Sequence, residues 1–147
     1  TPSTSSAASD VYKRQSYTYT ESAFQESFLS GFSQWGLVSK GDQLPYLPSH
    51  VGRVQIGLEA PTWQVYAALK AQSKIREKPG RDEIASDLHG DERNILDITA
   101  NWQVRDNWEV QMVVQNASDE VTIVSHRPYG ARPNKPRTII GRVKYTL

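Results

Sequence analysis

Basic side chains are concentrated near the end of the chain, in the stretch HRPYGARPNKPR from residue 126 to residue 137. Within it, no acidic residue accompanies His126, Arg127, Arg132, Lys135 or Arg137. A guanidinium group presents a planar fork of donors that matches a carboxylate or a phosphate. The stretch could therefore be an anion-binding loop, an arm that binds nucleic acid, or a proline-stiffened loop whose cations pair with acids elsewhere in the protein.

The overall charge argues against the nucleic-acid arm. The 147 residues include 17 Lys and Arg against 16 Asp and Glu, for a formal net charge of +1, whereas nucleic-acid binding usually goes with a strong basic excess. His50, His89 and His126 lie far apart and show no metal-ligand spacing. No nucleophile with a base and no phosphate-binding loop is recognised either. We therefore predict no enzyme, no metal, no cofactor and no nucleic-acid partner.

Period-two alternation dominates the chain from Ser16 onward and predicts β-strands with two unlike faces. In RVQIGLE, residues 53 to 59, apolar Val54, Ile56 and Leu58 alternate with polar or small residues. The same alternation recurs in four further segments, WQVYAALKAQ, LDITANWQV, WEVQMVVQ and IIGRVKYTL. A sixth strand is predicted from Ser16 to Gln25. The fold class expected is all-β, with an antiparallel up-and-down sheet.

The links between these strands alternate in length. Those at Glu59 to Thr62 and Arg105 to Asn107 are short, whereas those at about Glu26 to His50, Ile75 to Asn94 and Asn116 to Arg137 are long. Short turns on one side and long loops on the other are typical of outer-membrane barrels and uncommon in compact soluble domains. The second long link mixes acids with bases and is interpreted as a solvated surface.

Aromatic residues and strand number also favour a membrane barrel over a soluble sheet with one wet face. Trp63, Trp102 and Trp108 lie beside the short turns and Tyr145 lies near the end of the last strand, where a barrel has an aromatic girdle. Strands of about 9 to 11 residues are long enough to cross a bilayer when tilted. Six strands are too few to close the smallest barrels, and open edges are costly in lipid. We therefore expect a transmembrane β-barrel segment.

The first fifteen residues, TPSTSSAASDVYKRQ, do not continue into a periodic pattern. The end of this stretch, DVYKRQ (Asp10 to Gln15), can be encoded by GATGTGTATAAGAGACAG, which resembles the transposon end used in sequencing-library adapters. Residues 1 to 15 are therefore predicted to be a non-native or disordered segment. If so, the native protein continues upstream of Ser16 and the chain is a fragment.

Three motifs resemble the last quarter of TonB-dependent outer-membrane receptors of the ferric citrate type. They are FSQWGLVSKGDQLPYLPSH (Phe32 to His50), QNASDEVTIVSHRPYGARPNKPRT (Gln115 to Thr138) and the alternating C-terminal strand. The resemblance covers residues 16 to 147 and implies the last six strands of a barrel of about 22 strands. This chain departs from the family pattern in three places: Ala117 and Ser118 replace Leu-Phe, Leu147 replaces a terminal Phe, and Gly141 comes one position early.

The resemblance implies active import of a ferric siderophore or a similar anionic chelate across the bacterial outer membrane. TonB would act through an N-terminal region that this chain lacks. The chain itself would contact outer-membrane lipid and lipopolysaccharide, and its last strand would engage the barrel-assembly machinery. Guanidinium groups bind anions, so Arg127 and Arg132 are candidate ligand-binding residues in the extracellular loops. The other candidates in these loops are His126, Tyr129 and Trp35.

Two other functions stay open at this stage. One is a passive porin or adhesin built on the same kind of barrel, and the other is a soluble β-sheet binding module. For each basic candidate, pairing with acids of the lumen, contact with lipopolysaccharide or simple shaping of the loop also stays open.

Overall fold

A computed structural model describes residues 10–84, 89–127 and 129–146. Within these ranges the chain forms strands and connections and no helix, so no described helix could cross a bilayer. Residues 1 to 9 and Leu147 lie outside the described residues. The strands are β1 (Asp10–Tyr19), β2 (Phe28–Leu29), β3 (Leu37–Val38), β4 (His50–Ala60), β5 (Trp63–Gln72), β6 (Ile75–Arg76), β7 (His89–Gly90), β8 (Arg93–Arg105), β9 (Trp108–Gln115), β10 (Ile123–Ser125), β11 (Arg132–Pro133) and β12 (Thr138–Tyr145).

The long strands form one six-stranded antiparallel sheet in the order β1-β4-β5-β8-β9-β12. Long strands that follow one another along the chain are neighbours, so the prediction of an all-β, antiparallel up-and-down sheet with six long strands is confirmed. β1 and β12 are the two edges of the sheet and do not pair with each other in the described residues. The sheet is therefore open.

The first strand is displaced from its predicted position. It runs from Asp10 to Tyr19, not from Ser16 to Gln25, and it pairs with β4 along its whole length. Residues 10 to 15 therefore pair with β4 and are not disordered, whereas their non-native origin stays a prediction. The error has a physical reason: main-chain hydrogen bonds form the β-ladder whatever the side chains are, so an irregular side-chain pattern did not exclude a strand.

The register aligns the predicted apolar faces of neighbouring strands. Directly opposite residues of an antiparallel pair point to the same face. Ile56, Ala67, Ile98 and Val114 lie side by side across four strands. A row on the opposite face contains Glu59, Gln64, Asn101 and Gln111. Strands β4, β5, β8 and β9 therefore share one continuous apolar face and one polar face.

The long connections lie together at one end of the sheet, and the short turns lie at the other. Each of the connections at residues 20–49, 73–92 and 116–137 contains a short two-stranded ribbon, β2–β3, β6–β7 and β10–β11. Main-chain hydrogen bonds join the connections, from Gln43 N–H to the Gly80 carbonyl (3.0 Å) and from Asp91 N–H to the Ile123 carbonyl (2.8 Å). These bonds satisfy backbone groups that long structureless loops would leave to solvent.

Little of the apolar surface is buried within the described chain. The buried apolar side chains are Val38, Ala68 and Ile75, and two of these belong to the connections. On the apolar face, by contrast, Trp102 is 56% exposed and Met112 is 47% exposed. The described residues therefore leave this face of the sheet uncovered.

Candidate functional site

Aromatic side chains border the apolar face at the end with the short turns. Trp63 lies directly opposite Trp102, and the ring centroids of Trp108 and Tyr145 are 5.0 Å apart. The predicted position of these four aromatics at one end of the strands is confirmed. Their rings are flat, amphipathic and partly exposed, which suits the boundary between an apolar and a polar solvent.

A second group of rings borders the same face near the long connections. Tyr17 and Tyr19 lie around His50, with ring centroids 6.1 Å and 5.1 Å from the imidazole. The hydroxyl of Tyr17 and Nδ1 of His50 are hydrogen-bonded at 2.7 Å. Alternation places both tyrosines on one side of their strand, but only the pairing of β1 with β4 brings them to His50. The apolar face therefore has an aromatic row at each end.

Strand β1 interrupts the apolar face. Lys13 and Gln15 lie opposite Ile56 and Val54, in the interior of that face. In the described sheet, Lys13 is the one charged side chain between the two aromatic rows of this face. Both residues belong to DVYKRQ, whose coding sequence can match a library adapter. Lys13 and Gln15 are thus polar at positions of this face where Tyr17 and the following strands have aromatic or apolar side chains.

Hydrogen bonds link side chains across the polar face. Tyr66 donates its hydroxyl to Glu59 at 2.5 Å, and Lys70 Nζ donates to Asp97 at 2.6 Å. Gly57 lets the Tyr66 ring lie against its strand, because a Cβ at this position would overlap the ring. This face thus carries hydrogen-bonded polar pairs.

A buried carboxylate holds the long connections together. Glu77 is fully buried. Its Oε1 accepts the backbone N–H of His126 at 2.6 Å and lies 3.5 Å from Nδ1 of the same residue. Its Oε2 lies 3.6 Å from Nε of Arg127, and Arg127 Nη1 donates to Oε1 of Gln34 at 2.5 Å. Glu77 of the second connection thus contacts His126 and Arg127 of the third connection. Arg127 also contacts Gln34 of the first connection.

One expectation about these connections is wrong: the second connection is predicted to be a solvated surface, yet it contains the buried Glu77. For the basic stretch, the alternative of pairing with acids elsewhere holds at two positions, since Arg127 faces Glu77 and Arg137 lies 3.6 Å from Asp119. Sequence reasoning missed Glu77 because it is one acid in a mixed-charge run. A usable signal was its spacing of two from the apolar Ile75, which is also buried, since alternate residues of an extended segment share a side.

The other three candidates do not contact this carboxylate. Trp35 packs edge-on against Phe24 and Phe32, with ring centroids 6.1 Å and 6.0 Å away, and its indole N–H is buried without a hydrogen-bond partner. Tyr129 is 98% exposed, and Arg132 is exposed in β11. The structure therefore gathers His126 and Arg127 at one point and leaves Tyr129 and Arg132 on the surface.

Tyr46 is under the electrostatic influence of the same cluster and adopts a left-handed backbone conformation, with φ of 60°. Burial, and next the Glu77 carboxylate, raise the pKa of Tyr46, whereas Arg127 and Arg132 act in the opposite direction. The phenol is therefore protonated at neutral pH and available as a hydrogen-bond donor.

Asn116 anchors the start of the third connection. Its side-chain Nδ2 donates to the carbonyls of Glu120 (2.9 Å) and Lys135 (3.1 Å), and its Oδ1 accepts the N–H of Glu120 at 3.0 Å. Its own N–H donates to Asp97 at 3.0 Å. With φ of 51° the residue is left-handed, a conformation that Asn tolerates better than most residues. Asn116 thus binds the end of β9 to both β8 and the far side of its connection.

Replacing Asn116 with alanine should lower the free energy of unfolding by about 2 to 4 kcal/mol, because buried polar groups lose their partners and alanine disfavours positive φ. Asn116→Gly should lose less, since glycine adopts this φ freely. Chemical denaturation of the purified protein measures both. Equal effects of the two substitutions would show that the backbone conformation contributes nothing.

Known proteins offer no further guide to this arrangement. Compared with protein-family models, with curated proteins and with solved structures, the chain gives no significant match. Within the described ranges, no group of three His, Asp or Glu side chains is placed to hold a metal ion. The two faces of the sheet and the connections at its end are therefore the features from which a function is inferred.

Proposed function

We propose that the chain forms the C-terminal part of the wall of a bacterial outer-membrane β-barrel, in a receptor for TonB-dependent import of a ferric chelate. The observation that carries this proposal is the exposed apolar face of the sheet, with an aromatic row at each end. The motifs shared with ferric citrate-type receptors support the narrower identification of the receptor and its cargo.

The exposed apolar face is unfavourable in water and favourable in hydrocarbon. Soluble monomers rarely expose contiguous apolar patches larger than a few hundred Å², and each Å² of apolar surface removed from water is worth about 25 cal/mol. Exposed apolar side chains occur on this face in all six long strands, including Val11, Val54, Ile56, Leu58, Val65, Leu69, Trp102, Val110, Met112, Ile139 and Val143. Acyl chains would cover them without a dedicated protein partner.

The height of the apolar face agrees with a bilayer. In β5, Trp63 belongs to the aromatic row at the turns, and Ala71 lies in the row that includes Gly52 and Tyr17. At about 3.3 Å per residue these two rows are roughly 26 Å apart along the strand. A strand tilt of about 40° reduces the height to roughly 20 Å, close to the apolar band of about 25 Å in outer-membrane barrels.

The polar face and the open edges define the rest of the proposal. The hydrogen-bonded polar face would line the interior of the barrel, and further strands would pair with β1 and β12, because unpaired backbone groups are costly in lipid. The long connections would face the outside and the short turns the periplasm. Lys13 would lie in the lipid at a cost of about 2 to 4 kcal/mol, which supports a foreign origin for its segment.

The experiment uses the complete coding sequence, expressed in a host that has TonB and in a matched host that lacks it. We expect the product in the outer-membrane fraction, with heat-modifiable migration on gels, and uptake of radioactive iron supplied as a chelate only when TonB is present. A product that folds in water without detergent would instead identify a soluble β-sheet module. TonB-independent uptake would identify a passive porin.

A further inference from the structure

A cavity of about 510 Å³ opens on the polar face of the sheet, at the end near the long connections. Strands β4, β5 and β8 form its floor. Asn116, Asn134 and Lys135 of the third connection form one side. Asn116 holds this side in place through its hydrogen bond to the Lys135 carbonyl at 3.1 Å. The volume lies in the range of about 300 to 1,000 Å³ that is usual for small-molecule sites.

The charges that line the cavity are all positive. Arg53, Lys70, Arg93 and Lys135 line it, and its lining contains no Asp or Glu. Lys70 is compensated by Asp97, whose Oδ2 lies 2.6 Å from its Nζ. Among the described residues, Arg53, Arg93 and Lys135 form no ion pair within 4.0 Å, so three cations share one small space.

These three cations contact neutral amide side chains. The bonds run from Arg53 to Gln55 (2.9 Å), from Arg93 to Gln72 (2.8 Å) and from Lys135 to Gln115 (2.7 Å). An amide oxygen orients a donor without neutralising it. A guanidinium has five N–H donors, so each arginine retains donors for a ligand.

The positions of the cations indicate how many anionic groups a ligand needs. Arg53 is on β4 and Arg93 is on β8, with β5 between them, so their backbones are about 10 Å apart across the sheet. They are also offset by two residues along the strands, since Arg53 lies opposite Lys70 and Arg93 lies opposite Gln72. A small anion with one charged group is too short to contact Arg53, Arg93 and Lys135 at the same time. An anion with several charged groups can contact all three.

We propose that this cavity binds a compact anion carrying at least two carboxylate or phosphate groups. Arg53 and Arg93 bind it as planar forks of donors, and Lys135 supplies the third positive charge. This assignment rests on the proposed function, in which the polar face lines the interior of a barrel. It places two of the three anion contacts, Arg53 and Arg93, on the sheet, whereas Arg127 is already engaged by Glu77 and Gln34.

The test is calorimetric titration of the full-length protein in detergent with tricarballylate and, separately, with pyrophosphate. We expect at least one of them to bind, and the double variant Arg53→Gln/Arg93→Gln to lower its affinity at least tenfold. Arg142→Gln is the matched control, because Arg142 lies on the same polar face near the short turns, opposite Gln111. This variant should bind like the parent protein.

The two titrations distinguish the anion classes: preference for tricarballylate identifies a polycarboxylate site, and preference for pyrophosphate identifies a phosphate site. Absence of binding by both, or equal weakening by Arg142→Gln, overturns the site. Heat-modifiable migration confirms that each variant is folded. A membrane-inserted receptor that binds neither anion overturns only this inference, whereas anion binding by a water-soluble product overturns the membrane function and leaves the cavity assigned.

Discussion

Substituting Ala67 with arginine is expected to lower the free energy of unfolding in lipid vesicles by about 2 to 4 kcal/mol, the usual cost of an arginine at the middle of a barrel's lipid face. Ala67 is exposed in β5 and lies in the central row of the apolar face, between Ile56 and Ile98. In the proposed barrel, a guanidinium there would be surrounded by acyl chains. Denaturant titration of the refolded full-length protein, followed by tryptophan fluorescence, measures the loss.

Two variants in the same strand make this measurement specific. Gln64→Arg adds the same side chain to the polar face, opposite Glu59 and Asn101, where we expect a change within about 0.5 kcal/mol. Ala67→Leu enlarges the central residue without charge and should be tolerated. In a sheet that folds in water, Ala67→Arg would also be an exposed substitution with little effect. Similar results for both arginine variants would therefore contradict the membrane assignment.

Replacing Glu77 with alanine is expected to destabilise the layer of long connections by about 3 to 5 kcal/mol, because a buried charge loses its partner. The backbone N–H of His126 would lose its acceptor, and Arg127 would keep only Gln34. Faster cleavage of the connections by trypsin should accompany the loss, while the sheet stays folded. Glu77→Gln keeps an acceptor oxygen and should have an intermediate effect.

Arg81→Ala is the control for this prediction. Arg81 belongs to the same connection as Glu77 and lies 3.6 Å from Asp42, with its side chain 59% exposed. Such exposed pairs contribute about 0 to 1 kcal/mol, so trypsin cleavage outside position 81 should change little. If Glu77→Ala resembled Arg81→Ala, the buried carboxylate would not be what joins the connections.

The candidate residues show how far sequence reasoning reached. The sequence predicts Arg127 as a contact for an anionic ligand, and in the structure it faces the Glu77 carboxylate, from another connection. Trp35 packs on Phe24 and Phe32, which spacing within one irregular connection does not predict. The cations of the cavity were not singled out, because Arg53, Arg93 and Lys135 each stand alone in their own segment.

Local sequence determined which residues form the six long strands and which side chains share a face, since side-chain direction alternates along any extended backbone. It also determined which links are short. The exception, β1, begins six residues early because its ladder with β4 depends on main-chain groups. These features require only neighbouring residues, so they can be predicted from the chain alone.

The tertiary structure determined which residues from distant segments contact one another. Glu77 and His126 are 49 residues apart in sequence, and the cavity joins strands of the sheet with a connection. Such contacts depend on strand register, because a shift of one residue moves a side chain to the other face of the sheet. They also depend on how the long connections fold over the end of the sheet. Alternation predicted the two faces. The register of the strands and the folding of the connections together brought three cations to one cavity and a buried carboxylate to Arg127.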